Sequence, residues 1–547
     1  MSEASRHRTR LAGLAIGLLF VLMAGRSGYL ALSDAPSNAA ARPMTASLQQ
    51  RADIVDRNGE LLATSVVSWS LWANPSLIWD GADVARQLAG VLPELNEADL
   101  SERLSDPKRK FVWVKRGLTP RQREQVAALG LEGLDFREEA RRAYPRGVLA
   151  GQVLGYTNVD GEGIAGVELA YDSALQSGAE PVRLALDIGA QAALEAELAT
   201  AAMDYDMIGG AAILMDTRTG AIRGMASWPP FDPNRASDTP AEDPARTNRA
   251  IGAVYELGSI FKPLTIAAAL DVGAIKPEDR FAVGQPLLIQ GRRITDTHWF
   301  AREADVWKIL SESSNIGTVQ VNYALGSQRQ QQFLELSGLT RRAPVGLPGS
   351  AAPLIPARMD EVTAATVSYG HGISVTPMAF LVAFSAFGND GVMAPPVLLE
   401  DEAAPEVEPE GEPVRLFSKE TAHLVTEMMR QTVVNGTARR ADVPGYRVAG
   451  KTGTAEKPIP GGYAKDRNVA SFAAVFPADS PQYALIVTLD EPKAIEDGTM
   501  TAAVNAAPVA GRIIERVAPL LEVDPRFEDL RPATAAPRTL SQNRSEL

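Results

Sequence analysis

Hydrophobic positions are spaced unevenly along this chain, and each change of spacing marks a different kind of element. The first apolar run, Leu11 to Gly25, follows Arg6, Arg8 and Arg10 and resumes after Arg26 through Tyr29, Leu30 and Leu32. Counted with Arg26 the run is about 20 residues, enough to span a bilayer; counted without it, about 15, the core of a signal peptide. An arginine near a helix end reaches the headgroups, and the arginines ahead of the run hold the amino terminus in the cytoplasm. The pattern predicts a cytoplasmic tail over 1–10, an uncleaved anchor over 11–33 and an exported remainder. A cleaved signal is the alternative, since Asn38-Ala39-Ala40-Ala41 offers small residues.

Residues 34–50 are small and polar, a linker. The stretch Arg51-Ala-Asp-Ile-Val-Asp-Arg-Asn-Gly59 sets Ile54 against Asp53 and Asp56. This predicts a strand closed by a tight turn at Asn58-Gly59. Short strands and helices then mix over a first folded region, 51–185, including a polar amphipathic stretch from Thr119 to Leu129. From Asp187 the texture becomes helical and Ala/Leu-rich over Gln191–Met203, followed by an apolar strand, Gly210–Asp216, and a turn at Thr219-Gly220. This second region, 186–520, holds most of the expected core. Between Glu400 and Glu412, like-charge repulsion and proline predict a solvated segment, and the Pro-, Ala- and Arg-rich tail, 521–547, reads as disordered. No repeat of about 20–50 residues is present.

Composition narrows the chemistry. The chain has 547 residues and a net charge of −13, which argues against nucleic acid as a partner. It has no cysteine, which removes disulfides, thiolate nucleophiles and cysteine zinc sites. Its four histidines, His7, His298, His371 and His423, lack metal-ligand spacing. Hydroxyls, lysines and carboxylates remain.

Gly445-Tyr-Arg-Val-Ala-Gly450-Lys451-Thr452 satisfies a phosphate-loop pattern. That loop needs a buried strand before it and a helix after it. Here Pro444 precedes and Pro458 and Pro460 follow, so the nucleotide reading is set aside. Lys451-Thr452-Gly453-Thr454 instead reads as the end of a short strand, Tyr446–Ala449, with a glycine where a ligand approaches backbone closely. Strands Val469–Phe476 and Tyr483–Leu489 complete an antiparallel sheet edge.

A serine nucleophile without a usable histidine needs another base within reach, and a lysine three residues on shares its helix face. Ser-x-x-Lys occurs at Ser105–Lys108, in a polar loop with Pro107, and at Ser259–Lys262, which opens an apolar helix over Ile260–Leu270. Only the second offers a helix-dipole end to the serine and an apolar setting that lowers the lysine pKa. Pro263 falls one turn in, where a missing N–H costs least. Taken alone, Ser259 reads more readily as an ordinary helix cap. Ser-x-Asn occurs at Ser313-Ser314-Asn315, after an expected helix Val306–Glu312, and at Ser541–Asn543 in the tail. Ser259, Ser313 and Lys451 follow in that order at gaps of about 50 and about 140 residues, the ordered set of serine acyl-transfer enzymes that react with β-lactams.

On these motifs the chain resembles the division-specific (FtsI-type) class B penicillin-binding proteins, which are peptidoglycan D,D-transpeptidases. The resemblance also covers Arg-x-x-Ile-x-Asp-Arg-Asn-Gly at Arg51, Tyr144-Pro-Arg-Gly, Asp160-Gly-x-Gly-Ile-Ala-Gly-Val-Glu168, Tyr369-Gly-His-Gly372 and Asp490-Glu-Pro-Lys493. Ala52 and Leu257 depart from the family pattern, standing for a glycine and a proline. The resemblance implies an α+β architecture: a single anchor, an extended α/β pedestal of the dimerisation type over 51–185, and a transpeptidase domain over 186–520. That domain is an antiparallel sheet sandwiched by helices, as in serine β-lactamases.

It implies Ser259 as nucleophile, Lys262 as its base and Ser313 as proton relay. Asn315, Lys451, Thr452, Gly453 and Thr454 would bind substrate, and the amides of Ser259 and Thr454 would form the oxyanion hole. No metal or cofactor is implied. Implied partners are the peptidoglycan stem peptide, β-lactams, the septal glycan polymerase (FtsW-type) and divisome proteins, at a bacterial inner membrane reached through 11–33. An elongation-type transpeptidase is the near alternative. A β-lactamase lacks support, since no Glu-x-x-Leu-Asn follows Asn315, and a β-lactam sensor would need more than the ten residues ahead of the membrane run.

Overall fold

The computed structural model describes residues 51–178, 180–400, 411–459, 461–494 and 498–527. The expected anchor and linker, most of the acidic run, residues 528–547 and with them Ser541–Asn543 lie outside the described residues. Among the described residues no helix is long and apolar enough to cross a membrane.

The opening motif forms β1 (Ile54–Val55), turns at Gly59 with φ +85° and enters β2 (Leu61–Ala73). Asp56 makes the turn, its Oδ1 accepting from the amides of Asn58 and Glu60, both at 2.8 Å. β2 pairs antiparallel with β1, with β3 (Val112–Leu118) and with β4 (Leu134–Ala143), and β1 runs parallel to β5 (Val182–Arg183). Helices α1 (Gly81–Val91) and α2 (Glu97–Leu104) cover the outer part of this sheet, Leu88, Leu100 and Leu104 packing with Leu71, Val112 and Val114. The amphipathic stretch after Thr119 is a helix over Pro120–Ala127, opened by a Thr119–Gln122 capping box.

A buried ionic cluster ties this pedestal together. Glu168, with no exposed surface, accepts from Arg51 Nε at 2.6 Å, Arg142 Nε at 2.7 Å and Tyr144 Oη at 3.3 Å, while Arg51 Nη1 pairs with Asp172 at 2.7 Å. The pedestal residues Arg51, Tyr144 and Glu168 thus meet in one place, each oxygen of a buried carboxylate carrying a donor. Ala52 is buried in strand-like chain, its amide bonded to Leu175 O at 2.8 Å, so the missing glycine costs nothing visible.

The second region starts with α3 (Ile188–Tyr205), capped by Asp187, whose Oδ1 accepts from Gly189 and Ala190. Asn58 reaches Asp187 Oδ2 at 3.2 Å and Asp56 accepts from the Ile188 amide at 3.1 Å, so the pedestal's first turn is fastened to this helix. A five-stranded antiparallel sheet follows, formed by β6 (Gly209–Asp216), β7 (Ile222–Trp228), β8 (Ala449–Ile459), β9 (Gly462–Phe476) and β10 (Tyr483–Asp490) in the order β8-β9-β10-β6-β7. Helices α4 (Lys262–Asp271) and α5 (Asn315–Leu325) pack on each other, and α6 (Lys419–Asn435) joins α4 on one side of the sheet. α3 and α7 (Ala506–Leu520) cover the opposite side. Covered on both faces, β6 and β10 read as unbroken apolar runs. The larger core is continuous from Ile54 and Leu62 of the pedestal to Phe380, Phe384 and Phe417 of the second region.

Two local expectations change. The strand expected over Tyr446–Ala449 begins where it was to end: Arg447 sits in a turn at φ +40°, and β8 runs from Ala449 with Lys451 opposite Ala473 and Thr454 opposite Ala470. β8 also runs on to Ile459, because β9 starts at Gly462 rather than Val469 and its added residues carry the ladder past Ala455, while Lys451–Thr454 pair with Ala470–Ala473 inside the expected strand. β8 does lie at the sheet edge, which is where Pro458 can be tolerated. Past α7 the chain stays packed beyond residue 520: Val523 is buried and the Arg526 amide donates to Gly445 O at 2.8 Å.

Candidate active site

Ser259 lies in a single 3₁₀ turn, Gly258–Phe261, that feeds directly into α4, with Pro263 in the first turn of the helix. Gly258 holds φ +61°, and Leu257, buried where the family carries proline, is right-handed at φ −90°. The turn presses against β8 so closely that a Cβ on Gly453 would stand 2.3 Å from Leu257 O. A glycine in the Lys-Thr-Gly-Thr strand is therefore what lets the nucleophile's turn and the strand touch. Ser259 is partly exposed, and its hydroxyl takes no hydrogen bond from the described residues. It does not act as a helix cap.

Lys262, one turn on, is fully buried. Its Nζ donates to Asn315 Oδ1 at 2.8 Å, to Ser313 Oγ at 3.2 Å and to the Ser313 carbonyl. Lys451, also fully buried, donates to the same Ser313 Oγ at 2.9 Å and to Thr452 O at 3.0 Å. Ser313 is left-handed at φ +61°, which for a non-glycine residue is strained and persists only where its surroundings enforce it. Ser314 caps α5, its Oγ accepting from the Gly317 amide at 2.9 Å.

Burial dominates the electrostatics. It pulls Lys262 well below the ordinary lysine range; the charge of Lys451 pulls the same way and that of Asp296 opposes. Burial alone brings Lys451 down to about 7. A lysine that is neutral near pH 7 can take a proton from a serine hydroxyl, which an ordinary lysine cannot. The arrangement supplies a partly exposed hydroxyl, a desolvated amine whose proton affinity burial lowers, a second hydroxyl between two amines, and an amide side chain.

The strand threonines complete the rim. Thr452 Oγ1 lies 3.1 Å from Thr437 Oγ1, and Thr454 Oγ1 accepts from the Ala502 amide at 2.9 Å, which leaves its own O–H to donate. Of the expected site residues, Lys262, Ser313, Asn315 and Lys451 are joined directly by hydrogen bonds, while Ser259, Thr452, Gly453 and Thr454 line up along the turn and strand. The other Ser-x-x-Lys is elsewhere: Ser105 ends α2 in the pedestal and Lys108 is exposed. The phosphate-loop pattern is followed by a strand, which settles its rejection.

Sequence reasoning gave no chemistry to several neighbours. Glu256, 7% exposed, accepts from Tyr463 Oη at 3.2 Å, leaves Oε2 without a partner, and is pushed up by burial. His371 packs with its ring tilted against Tyr369, centroids 5.2 Å apart, and is brought down to about 4 by burial and then by Lys262. The Gly258 amide donates to Gly370 O at 3.1 Å, so the Tyr369–Gly372 segment backs the nucleophile's turn. Tyr369-Gly-His-Gly was visible as a family signature; the carboxylate of Asp296, which bonds to the first turn of α5, had no local pattern to reveal it.

Comparison with known proteins agrees with this geometry. The family model described as the penicillin binding protein transpeptidase domain matches residues 210–515, and that of the penicillin-binding protein dimerisation domain matches 47–187. A Caulobacter vibrioides protein named as a probable peptidoglycan D,D-transpeptidase FtsI is 39% identical over 493 residues, covering 87% of this chain and 82% of its own. The Escherichia coli K12 peptidoglycan D,D-transpeptidase FtsI is 31% identical, covering 87% and 84%. The crystal structure of penicillin binding protein 3 from Mycobacterium tuberculosis, complexed with aztreonam, superposes with a TM-score of 0.68 at 26% identity, covering 87% and 97%.

Proposed function

The chain belongs to the penicillin-binding protein family of peptidoglycan D,D-transpeptidases, and from that premise we propose that it cross-links stem peptides during septal wall synthesis, through an acyl-enzyme on Ser259. The observation that carries this reading is the Ser313 hydroxyl held between two buried lysines beside the turn of Ser259.

Neutral Lys262 takes the proton of Ser259 as its Oγ attacks the carbonyl of the penultimate D-alanine. The amides of Ser259 and Thr454 receive the charge that develops on that oxygen. As the tetrahedral species collapses, the C–N bond to the terminal D-alanine breaks and Ser313 passes a proton to the leaving amine. Asn315 holds the peptide amide, and Lys451, Thr452 and Thr454 hold the terminal carboxylate against Gly453. An amine from a neighbouring strand then attacks the ester, giving its proton back through the same groups and freeing Ser259. A β-lactam enters as the donor does, and its opened ring stays on Ser259.

The segment 11–33 serves as a single-pass anchor in the bacterial inner membrane, with the amino terminus cytoplasmic and the catalytic body periplasmic at the division septum. The pedestal and anchor meet the septal glycan polymerase (FtsW-type) and its divisome activators. Ser-Ser-Asn at 313–315, and Lys451-Thr-Gly-Thr-Ala-Glu-Lys457 with the later Asp490-Glu-Pro-Lys493, favour this over elongation. The test of the reaction is Ser259→Ala, expected to fold normally and form no cross-links; wild-type cross-linking by that variant overturns the assignment. Localisation of a fluorescent fusion at midcell separates the septal role from a lateral-wall distribution.

A further inference from the structure

A carboxylate with no role in the steps above grips the element that carries Ser313. Asp296 follows the hairpin of Leu287–Ile289 and Arg292–Ile294. Its Oδ1 accepts from the amides of Asn315 at 2.6 Å and Ile316 at 3.0 Å, and its Oδ2 accepts the Ser314 hydroxyl at 2.7 Å. Its neighbour adds a further bond, Asn315 Nδ2 donating to Thr295 O at 3.0 Å. The amides concerned belong to the first turn of α5, where no carbonyl of the helix can satisfy them, and a negative charge there also meets the positive end of the helix dipole.

Ser313 immediately precedes this grip. On its other side it is tied back to the preceding helix, the Ser313 amide donating to Leu310 O at 3.2 Å and the Ser314 amide to Ile309 O at 2.9 Å. Held from both sides, Ser313 keeps φ +61°, and in that conformation its carbonyl and its hydroxyl both face Lys262 while the hydroxyl also meets Lys451.

We propose that Asp296 is a positioning residue of the acylation site, which locks Ser313 in its left-handed conformation between the two lysines and places a negative charge near Lys262. The inference rests on the acyl-serine reading of the site. Two ammonium groups on one hydroxyl repel each other, and a nearby carboxylate offsets part of that repulsion at Lys262. The titratable groups around Lys262 are Lys451 from β8, Asp296 from the loop before α5, and His371 from the loop behind the nucleophile's turn. Of these, only Asp296 raises the proton affinity of Lys262, so its removal lowers it further.

The experiment measures the acylation rate of the full-length protein by a fluorescent penicillin between roughly pH 5 and 9, for wild type, Asp296→Asn and Asp296→Ala. Asparagine keeps an oxygen for the Asn315 and Ile316 amides and removes the charge; alanine removes both. Asp296→Asn is expected to unfold like wild type and to move the acid limb of the rate profile down by about one pH unit. Asp296→Ala is expected to slow acylation by about tenfold or more, the loss expected when hydrogen bonds to a charged group disappear. An acid limb unmoved in Asp296→Asn, or an Asp296→Ala rate within about twofold of wild type, overturns the proposal, since a cap with no electrostatic role would leave the profile in place. Wild type that takes no label overturns the acyl-serine reading and this proposal with it.

Discussion

Lys262 and Lys451, from motifs far apart in the chain, donate to the same oxygen, Ser313 Oγ, at 3.2 and 2.9 Å. Neither has any exposed surface, so each enters the site at the cost of its hydration, and the charge of Lys451 makes Lys262 harder to protonate. In the proposed reaction the pair divides the work of the site between an amine that takes a proton and an amine that attracts a carboxylate.

Replacing Lys262 by methionine keeps the length and the burial and removes the proton acceptor. Acylation by penicillin should fall by about 10²–10⁴-fold, the usual contribution of a positioned base, while the variant retains a cooperative thermal transition. Stopped-flow acylation measures this. A rate within tenfold of wild type would assign the base to another group.

The pH dependence follows from the directions of the two shifts. Burial holds Lys262 well below the ordinary lysine range, and as the pH falls far enough for it to regain a proton it ceases to be a base, so the second-order rate falls on the acid side. Above about 7, Lys451 loses its proton in the free enzyme and its pull on the substrate carboxylate with it, so the rate falls again. His371, brought down to about 4, stays neutral across this range and adds no limb. The expected profile is a bell in the acylation rate. A rate that climbs steadily to pH 10 would mean that both lysines titrate in their ordinary range.

Gly453→Ala tests the contact between strand and turn. Its methyl would stand 2.3 Å from Leu257 O and 3.1 Å from the Ile260 amide, on either side of Ser259. Overpacking of this kind costs about 1–3 kcal/mol, and here it pushes the nucleophile's turn off β8. A lowered thermal midpoint together with slower acylation is expected. Unchanged values for both would show that the turn and the strand move independently of each other.

Glu168→Ala leaves Arg51 and Arg142 buried without their shared carboxylate. Breaking a buried pair by removing one partner costs about 3–5 kcal/mol, so urea should unfold this variant far earlier than wild type. Penicillin should still label the fraction that remains folded, because the network lies in the pedestal. A denaturation midpoint equal to wild type would contradict the role given to the cluster.

Much of this was legible in the sequence because it is carried by local spacing. Ser259 and Lys262 are one helical turn apart, and Ser313 and Asn315 flank a helix start, so short-range pattern finds them. Lys451 needed its rival reading as a phosphate loop removed, which the prolines around it allowed. The start of the strand was misplaced because Arg447, left-handed at φ +40°, keeps Tyr446 to Val448 out of the ladder, and its far end was missed because Gly462 to Asn468, which pair with it there, are mostly polar and have no alternation to announce them. Asp296 stayed hidden for the same kind of reason, lying outside every motif and reaching Ser314 and Asn315 only through the fold. His371 was in view as a letter of a larger signature and Glu256 belonged to none, but burial gives both their properties, and burial cannot be read from two letters.

The most direct test of the central claim is the mass of the protein after incubation with penicillin, followed by peptide mapping. The expected result is one drug mass, on the peptide carrying Ser259, retained for many minutes. An absent adduct, or one on any other residue, contradicts the acyl-serine account; rapid loss of the adduct with bulk hydrolysis of the drug would make the protein a β-lactamase instead.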